Sequence, residues 1–291
     1  MSGQLYLLPC PISEAPALDA LPASTVETAR RIDHFLVEAA RTARATLKAM
    51  GHPKPIAELD IVEIGHDTAP ELISEWLQPV LDGADAAVLS ESGCPGVADP
   101  GAQIAARAHE LGICVVPLTG PSSILLTLMA SGLDGQRFRF SGYLPKHDAE
   151  RRAAILAAEK ASRASETQLF IETPYRNTAL LDALLETLAP DTRLTVAIDV
   201  TGQNESIRTL TAAAWKAIPK AMRTLPKLPT VFAFLAKPGN RAPRYAPECA
   251  GGKRAHTAPS SKPAVLNNRP KQAFKTHRPE GSPVKTLKGG R

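Results

Sequence analysis

Short apolar runs of strand length alternate with longer segments of helical period through the first 235 residues. Residues 4–8 and 86–90 are typical of the strand-like runs, and residues 174–188 carry a leucine stripe at helical spacing. Residues 26–50 also have apolar positions three or four apart, which predicts one long helix there. This alternation predicts an α/β fold, with sheets flanked by helices and ligands at the carboxyl ends of strands.

The composition changes beyond residue 236. Residues 237–291 contain thirteen Lys or Arg, two Glu and eight Pro, so their formal net charge is +11 and the preceding part carries −6. A segment of this kind buries too little apolar surface to offset the entropy lost on ordering. We therefore expect an N-terminal α/β lobe over residues 1–120, a C-terminal α/β lobe over residues 121–237 and a disordered basic tail over residues 238–291.

Several classes of protein are disfavoured. No apolar run approaches the roughly 20 residues of a membrane helix, and the N-terminus lacks the basic region of a signal peptide. The four cysteines form no Cys-x-x-Cys pair and have no zinc-finger spacing. Aromatic residues are only 4% of the chain, which is few for a dedicated single-strand binder. We expect a cytoplasmic protein without a membrane segment or a metal site.

The most informative segment is a loop at residues 90–101, Ser-Glu-Ser-Gly-Cys-Pro-Gly-Val-Ala-Asp-Pro-Gly, between a predicted strand and a predicted helix. A glycine lets the backbone approach a ligand that a side chain would block. A plain turn between strand and helix is an equally good interpretation of this loop alone.

Two shorter motifs also join a strand to a helix. Thr-Gly-Pro-Ser-Ser at residues 119–123 opens a predicted helix, whose free N–H groups would attract a carboxylate or phosphate. In Glu-Thr-Pro-Tyr-Arg at residues 172–176, the Glu and Arg are spaced to pair or to point into a cleft. Taken alone, an ordinary capped helix start and a structural ion pair explain these motifs.

The order and spacing of the three motifs resemble the tetrapyrrole methylase superfamily, and within it the ribosomal RNA small subunit methyltransferase I branch. Gly-Tyr-Leu-Pro at residues 142–145 and the opening strand and turn are also similar to that branch, so the resemblance covers the whole predicted core. There are departures. The branch's Glu-Asp-Thr-Arg is Glu-Ala-Ala-Arg at residues 38–41, its Gly-Asn is Ser13-Glu14, and Glu91 replaces an Asp.

The resemblance implies S-adenosylmethionine bound in a cleft between two α/β lobes, a homodimer, and methyl transfer to a ribose 2′-hydroxyl of small-subunit ribosomal RNA. Ribosomal RNA or the small ribosomal subunit would then be the partner. The residues implied to meet the cofactor are Leu8, Pro9, Glu91, Gly93, Cys94, Ser122, Ser123, Ile171, Thr173, Val231 and Ala233.

Methyl transfer from a sulfonium expels a neutral leaving group, so the reaction requires no metal. A hydroxyl acceptor must also lose a proton. Glu38, Glu91 and Glu172 are possible bases, and the sequence does not choose among them; a structural or cofactor-positioning role is the alternative for each. His66 occupies the place of a histidine in the branch, and a surface histidine is the default expectation.

Two other functions stay open. The acidic body suits a small-molecule acceptor such as a tetrapyrrole, whereas the basic tail suits RNA, since phosphate contacts are mainly electrostatic. A non-catalytic protein that only holds the cofactor would show a cleft blocked to any acceptor. A dinucleotide-binding dehydrogenase is disfavoured because no Gly-x-Gly-x-x-Gly follows the first strand.

Overall fold

The computed structural model describes residues 2–14, 17–65 and 68–238, which belong to one compact unit with two five-stranded sheets. The first sheet is parallel throughout, in the order β3–β2–β4–β1–β5. Its strands are β1 Gln4–Leu8, β2 His34–Val37, β3 Asp60–Glu63, β4 Ala86–Leu89 and β5 Cys114–Pro117. The carboxyl ends of all five strands therefore meet at one edge, the usual place for a ligand.

Helices cover both faces of the first sheet. They are α1 Ala17–Ala20, α2 Ala23–Ala29, α3 Ala40–Ala49, the 3-10 helix Ile56–Glu58, α4 Pro70–Leu81 and α5 Gly101–Glu110. Successive side chains of β2 point to opposite faces. Phe35 packs with Leu47 of α3 on one face, and Leu36 packs with Leu77 of α4 on the other.

The prediction of one long helix over residues 26–50 is wrong. The chain forms α2, then β2, then α3 over this range. All four residues of β2 are buried, because the strand lies between β3 and β4 under helices on both sides. A strand buried on both faces shows no polar alternation, and here Phe35 and Leu36 also fall at helical spacing from Ile32, so periodicity could not identify it.

The second sheet is mixed, in the order β6–β7–β10–β8–β9. Its strands are β6 Phe138–Tyr143, β7 Thr167–Glu172, β8 Arg193–Ile198, β9 Ser206–Thr211 and β10 Thr230–Leu235. Strands β6 and β7 are parallel, and the other neighbours are antiparallel. Strand β10 is buried along its whole length, and its first residue, Thr230, lies opposite both Glu172 and Ile198.

The second half contains the helices α6 Ser123–Ser131, α7 Asp148–Ser162, α8 Asn177–Thr187 and α9 Ala212–Ala217, and the 3-10 helices Pro174–Arg176 and Lys220–Met222. Ile124 and Leu128 of α6 pack on Leu169 and Ala233 of the second sheet. Ile12, from the loop after β1, joins the same cluster. The loop after β1 and helix α6 therefore pack together against the second sheet.

The α/β architecture with two sheets, expected from the sequence, is confirmed. The expected disordered tail lies outside the described residues, and the lobe boundaries stay a prediction. Among residues 2–14, 17–65 and 68–238, no helix combines the length and apolar character that a membrane span requires.

Candidate active site

A cavity of about 360 Å³ lies at the carboxyl edge of the first sheet, and strand ends of the second sheet line its other side. The first half contributes the loops that follow β1, β2, β4 and β5. The second half contributes the ends of its strands. The lining residues are Ile12, Glu38, Glu91, Ser92, Gly93, Cys94, Val97, Ala98, Asp99, Ser122, Ser123, Ile124, Phe140, Tyr143, Ile171, Glu172, Thr173, Pro174, Val200, Pro229, Thr230 and Val231.

The Gly-rich loop, residues 90–101, is fastened to the neighbouring loops. The Cys10 N–H donates to the Gly93 carbonyl at 2.9 Å, and the Gly93 N–H donates back at 3.2 Å. The Cys94 thiol donates to the carbonyl of Pro121 at 3.4 Å. Gly93 has φ +76°, in the left-handed region that favours glycine. The loop therefore presents a fixed stretch of backbone to the cavity.

The second half of this loop folds back into the start of α5. Asp99 Oδ1 accepts the N–H groups of Gly96 at 2.8 Å and Gly101 at 2.7 Å. Ala98 has φ +64°, a conformation that costs a non-glycine residue about 1–2 kcal/mol. Such strain is often found where a loop is shaped around a ligand.

The motif at residues 119–123 brings the start of α6 to the cavity. A Cβ on Gly120 would overlap Pro9 Cβ, so only glycine lets the loops after β1 and β5 approach this closely. The Ser122 hydroxyl accepts the N–H of Leu125 at 3.5 Å and caps α6, which begins at the next residue. Ser122 and Ser123 both line the cavity.

Four carboxylates line the cavity. Asp99 holds the Gly-rich loop, and Glu172 and Glu38 are also engaged in hydrogen bonds. Glu172, whose side chain is 4% exposed, accepts from Arg176 Nη2 at 2.5 Å, Arg176 Nε at 3.1 Å and the Thr173 N–H at 2.7 Å. Glu38 Oε2 accepts the Glu91 N–H at 2.9 Å and so joins the loops after β2 and β4. Both carboxylates therefore act as anchors of the cavity wall.

Glu91 is different, because its carboxylate makes no hydrogen bond or ion pair with any residue that the structure describes. It is exposed, and it lines a second cavity of about 750 Å³ as well as the first. The two cavities also have three other lining residues in common, Ile12, Ser92 and Pro229. The two cavities therefore adjoin, and Glu91 stands at their junction.

The loop between β8 and β9 forms one side of the second cavity. Asp199 and Thr201 have φ values of +48° and +68°. A Cβ on Gly202 would overlap the carboxylate of Asp199, so glycine is required there. The Ser13 hydroxyl, in the loop after β1, lies 3.0 Å from Thr201 Oγ1. The remaining lining residues are Pro11, Glu14, Gln203, Asn204 and Leu228.

Two thiols near the first cavity are neutral at physiological pH. Burial raises the pKa of Cys10 to about 12, and burial also raises the pKa of Cys94. Since the thiolate is the reactive form of cysteine, neither is poised as a nucleophile. The described residues contain no group of His, Cys, Asp or Glu arranged to hold a metal ion.

Most residues that the resemblance implies at the cofactor line the first cavity, namely Glu91, Gly93, Cys94, Ser122, Ser123, Ile171, Thr173 and Val231. Leu8, Pro9 and Ala233 do not. Leu8 and Ala233 are fully buried in the cores of the first and second sheets, and Pro9 is buried against Gly120. Arg176 pairs with Glu172 but does not line the cavity. His66 lies outside the described residues.

Sequence reasoning missed part of the lining. Ser92, Val97, Ala98 and Asp99 belong to the Gly-rich loop and could have been included with it. Val200 and Pro229 carry no such signal, since the antiparallel pairing of β8 with β10 brings them to the cavity.

Curated relatives and a solved structure are similar to this chain. Ribosomal RNA small subunit methyltransferase I of Bacillus subtilis (strain 168) is 30% identical over 70% of this chain, and the chain spans 65% of that relative's length. The protein of the same name from Mesorhizobium japonicum is 32% identical over 72% of this chain and 68% of its own length. Diphthine synthase has a TM-score of 0.56 over 81% of this chain and 90% of its own; at 17% identity this shows the fold alone.

A family model described as Tetrapyrrole (Corrin/Porphyrin) Methylases matches residues 17–215, which is most of the chain. That range contains all three motifs and most of the residues that line the first cavity. The resemblance noted from the sequence is therefore confirmed, and the chain belongs to the tetrapyrrole methylase family.

Proposed function

We propose that this protein is an S-adenosylmethionine-dependent methyltransferase that acts on a ribose 2′-hydroxyl of small-subunit ribosomal RNA. The observation that carries the proposal is the pair of adjoining cavities with Glu91 at their junction. Family membership and the names of the curated relatives support the same reaction. The site of action would be the cytoplasm, the partner the small ribosomal subunit, and the assembly the homodimer that the resemblance implies.

The first cavity fits S-adenosylmethionine in size and in chemistry. Its volume of about 360 Å³ is in the range of small-ligand sites. Ile124, Ile171 and Val231 offer an apolar wall for an adenine ring. The N–H groups at the start of α6, beside Ser122, suit a carboxylate. When bound, this cofactor supplies a methyl group on a positively charged sulfur.

The residues of the chain would accelerate transfer mainly by holding the reactants in line, which is worth many orders of magnitude. The contacts of Gly93, Glu38 and Glu172 keep the cavity wall rigid. Glu91 is the best placed to take a proton from an acceptor hydroxyl, because it faces both cavities and forms no competing contact in the described chain. Anchoring explains the observed contacts of the other two glutamates.

The charge of the second cavity favours a ribose over a tetrapyrrole. Glu14, Glu91 and Asp199 line it, and none of its described lining residues is Lys or Arg. A tetrapyrrole that carries several carboxylates would meet like charges, whereas a ribose hydroxyl and a base are neutral. The volume of about 750 Å³ beside the first cavity also disfavours a protein that holds the cofactor without an acceptor.

The test is tritium transfer from labelled S-adenosylmethionine into extract of a strain that lacks this gene, with RNA and small-molecule fractions counted separately. We expect label in small-subunit ribosomal RNA, and Glu91→Gln should lower transfer by about 10²–10⁴-fold. Affinity for S-adenosylhomocysteine should change little. Glu75→Gln, an exposed carboxylate on α4, is the matched control. Label confined to the small-molecule fraction would refute the RNA assignment.

A further inference from the structure

Tyr175 is the most exposed Phe, Tyr or Trp in the described part of the chain, with 81% of the residue exposed. The Lys227 ammonium lies over its ring, 5.2 Å from the centroid, at cation–π distance. An exposed ring of this size has no role in the core. Together, the Tyr175 ring and the Lys227 ammonium offer a flat apolar surface and a positive charge at one place.

This pair lies at the rim of the candidate active site. Tyr175 follows Thr173 and Pro174, which line the first cavity. Lys227 precedes Leu228, which lines the second cavity, and Pro229, which lines both. Two separate segments of the chain therefore place the ring and the ammonium next to residues that line the cavities.

Buried hydrogen bonds hold the two segments together. The side-chain amide of Asn177, which is fully buried, donates to the carbonyl of Leu228 at 2.8 Å and to Thr230 Oγ1 at 2.9 Å. The hydroxyl of Thr178 accepts the N–H of Leu225 at 3.0 Å. The ring and the ammonium are thus positioned before any ligand arrives, which lowers the entropy lost on binding.

The charges around the site indicate what this rim would bind. Among the described residues that line the two cavities there are carboxylates, such as those of Glu91 and Asp199, but there is no Lys or Arg. The phosphates of an RNA acceptor must therefore be neutralised outside the cavities. Lys227 is a cation at the rim, and an exposed aromatic ring is the usual stacking surface for an unpaired base.

We propose that Tyr175 and Lys227 form a docking platform for RNA, in which an unpaired base next to the methylated nucleotide stacks on the Tyr175 ring and Lys227 contacts a phosphate. The platform rests on the proposed function, because it presumes an RNA acceptor. It would select single-stranded or unpaired acceptors, since a base inside a helix has no free face to stack.

The probe is a short single-stranded RNA that contains the fluorescent base 2-aminopurine, whose emission falls on stacking. Tyr175→Ala should weaken RNA binding by roughly tenfold and abolish the quenching. Tyr175→Phe should preserve both, because the ring and not the hydroxyl stacks. Lys227→Met should reduce the slope of log affinity against log salt by about 0.7, the value for one phosphate contact on a single strand.

Two controls separate these effects from misfolding. Lys160→Met, at an exposed lysine of α7, should leave the salt slope unchanged. Affinity for S-adenosylhomocysteine should be the same in every variant. Equal RNA affinity and equal quenching with Tyr175→Ala would overturn the platform. So would a Tyr175→Phe variant that behaves like Tyr175→Ala.

The methyl-transfer assay distinguishes this failure from failure of the proposed function. If the unaltered protein methylates RNA and Tyr175→Ala does so with an unchanged KM, the platform is wrong and the function stands. If the unaltered protein transfers no methyl group to RNA, the proposed function is wrong and the platform falls with it.

Discussion

Replacing Gly93 with alanine tests whether the Gly-rich loop meets the cofactor through its backbone. Gly93 has φ +76°, and a Cβ there would lie 3.2 Å from Ile12 Cγ2, which also lines the cavity. The left-handed backbone alone should cost about 1–2 kcal/mol of stability. The tight contact forces Ile12 to move by a few tenths of an ångström. We expect about tenfold weaker cofactor binding, which corresponds to about 1.4 kcal/mol.

Gly112→Ala is the matched control. Gly112 has a similar φ of +73°, but a Cβ added there would meet nothing within 4 Å, and the residue does not line the first cavity. Both variants should therefore lose a similar free energy of unfolding in thermal or urea denaturation. Only Gly93→Ala should lose affinity for S-adenosylhomocysteine in calorimetry. Equal stability loss with unchanged affinity would refute the backbone role of the loop.

Three further predictions concern other parts of the chain. Glu172→Ala should lower the free energy of unfolding by about 1–2 kcal/mol in urea denaturation, because Arg176 loses its partner but is itself partly solvated. Burial raises the pKa of Cys10 from 9.0 to about 12, so the folded state holds that proton more tightly and stability should fall as pH rises from 9.0 towards 12. In urea denaturation at each pH, Cys10→Ala should make the free energy of unfolding fall less steeply between these pH values. An unchanged dependence on pH would show that Cys10 is not the group responsible. Truncation after Lys237 removes the tail over residues 238–291 and its formal charge of +10, so a salt titration should show weaker RNA binding with a shallower slope and unchanged cofactor affinity.

The sequence was sufficient for most of the alternating α/β elements and for two of the loops of the first half. Glycine and proline mark loops strongly, so the Gly-rich loop and the start of α6 were identifiable without a structure. Strand β2 was not, because full burial removes the alternation that marks a strand. Because the prediction missed β2, it also placed Glu38 inside a helix. Glu38 instead follows β2 at the edge of the sheet.

The second half of the site was only partly predictable. Glu172 and Thr173 end a strand that is evident in the sequence, and their motif marked them. Phe140 and Val200 line the same cavity, yet nothing in their local sequence separates them from ordinary strand residues. Ala233 lies two residues beyond Val231 on the same face of β10, but α6 covers it, and strand periodicity cannot predict where a helix begins to cover a face.

The position of β10 has a consequence for synthesis of the protein. This strand is the last in the described chain but lies in the middle of its sheet, so β7 and β8 leave the ribosome without the neighbour that joins them. Pro229, Thr230 and Val231 also complete the wall of the first cavity. A nascent chain that stops before residue 229 would therefore have unpaired strand edges and an open cavity wall. Such chains should aggregate or be degraded and not act as partly active enzymes.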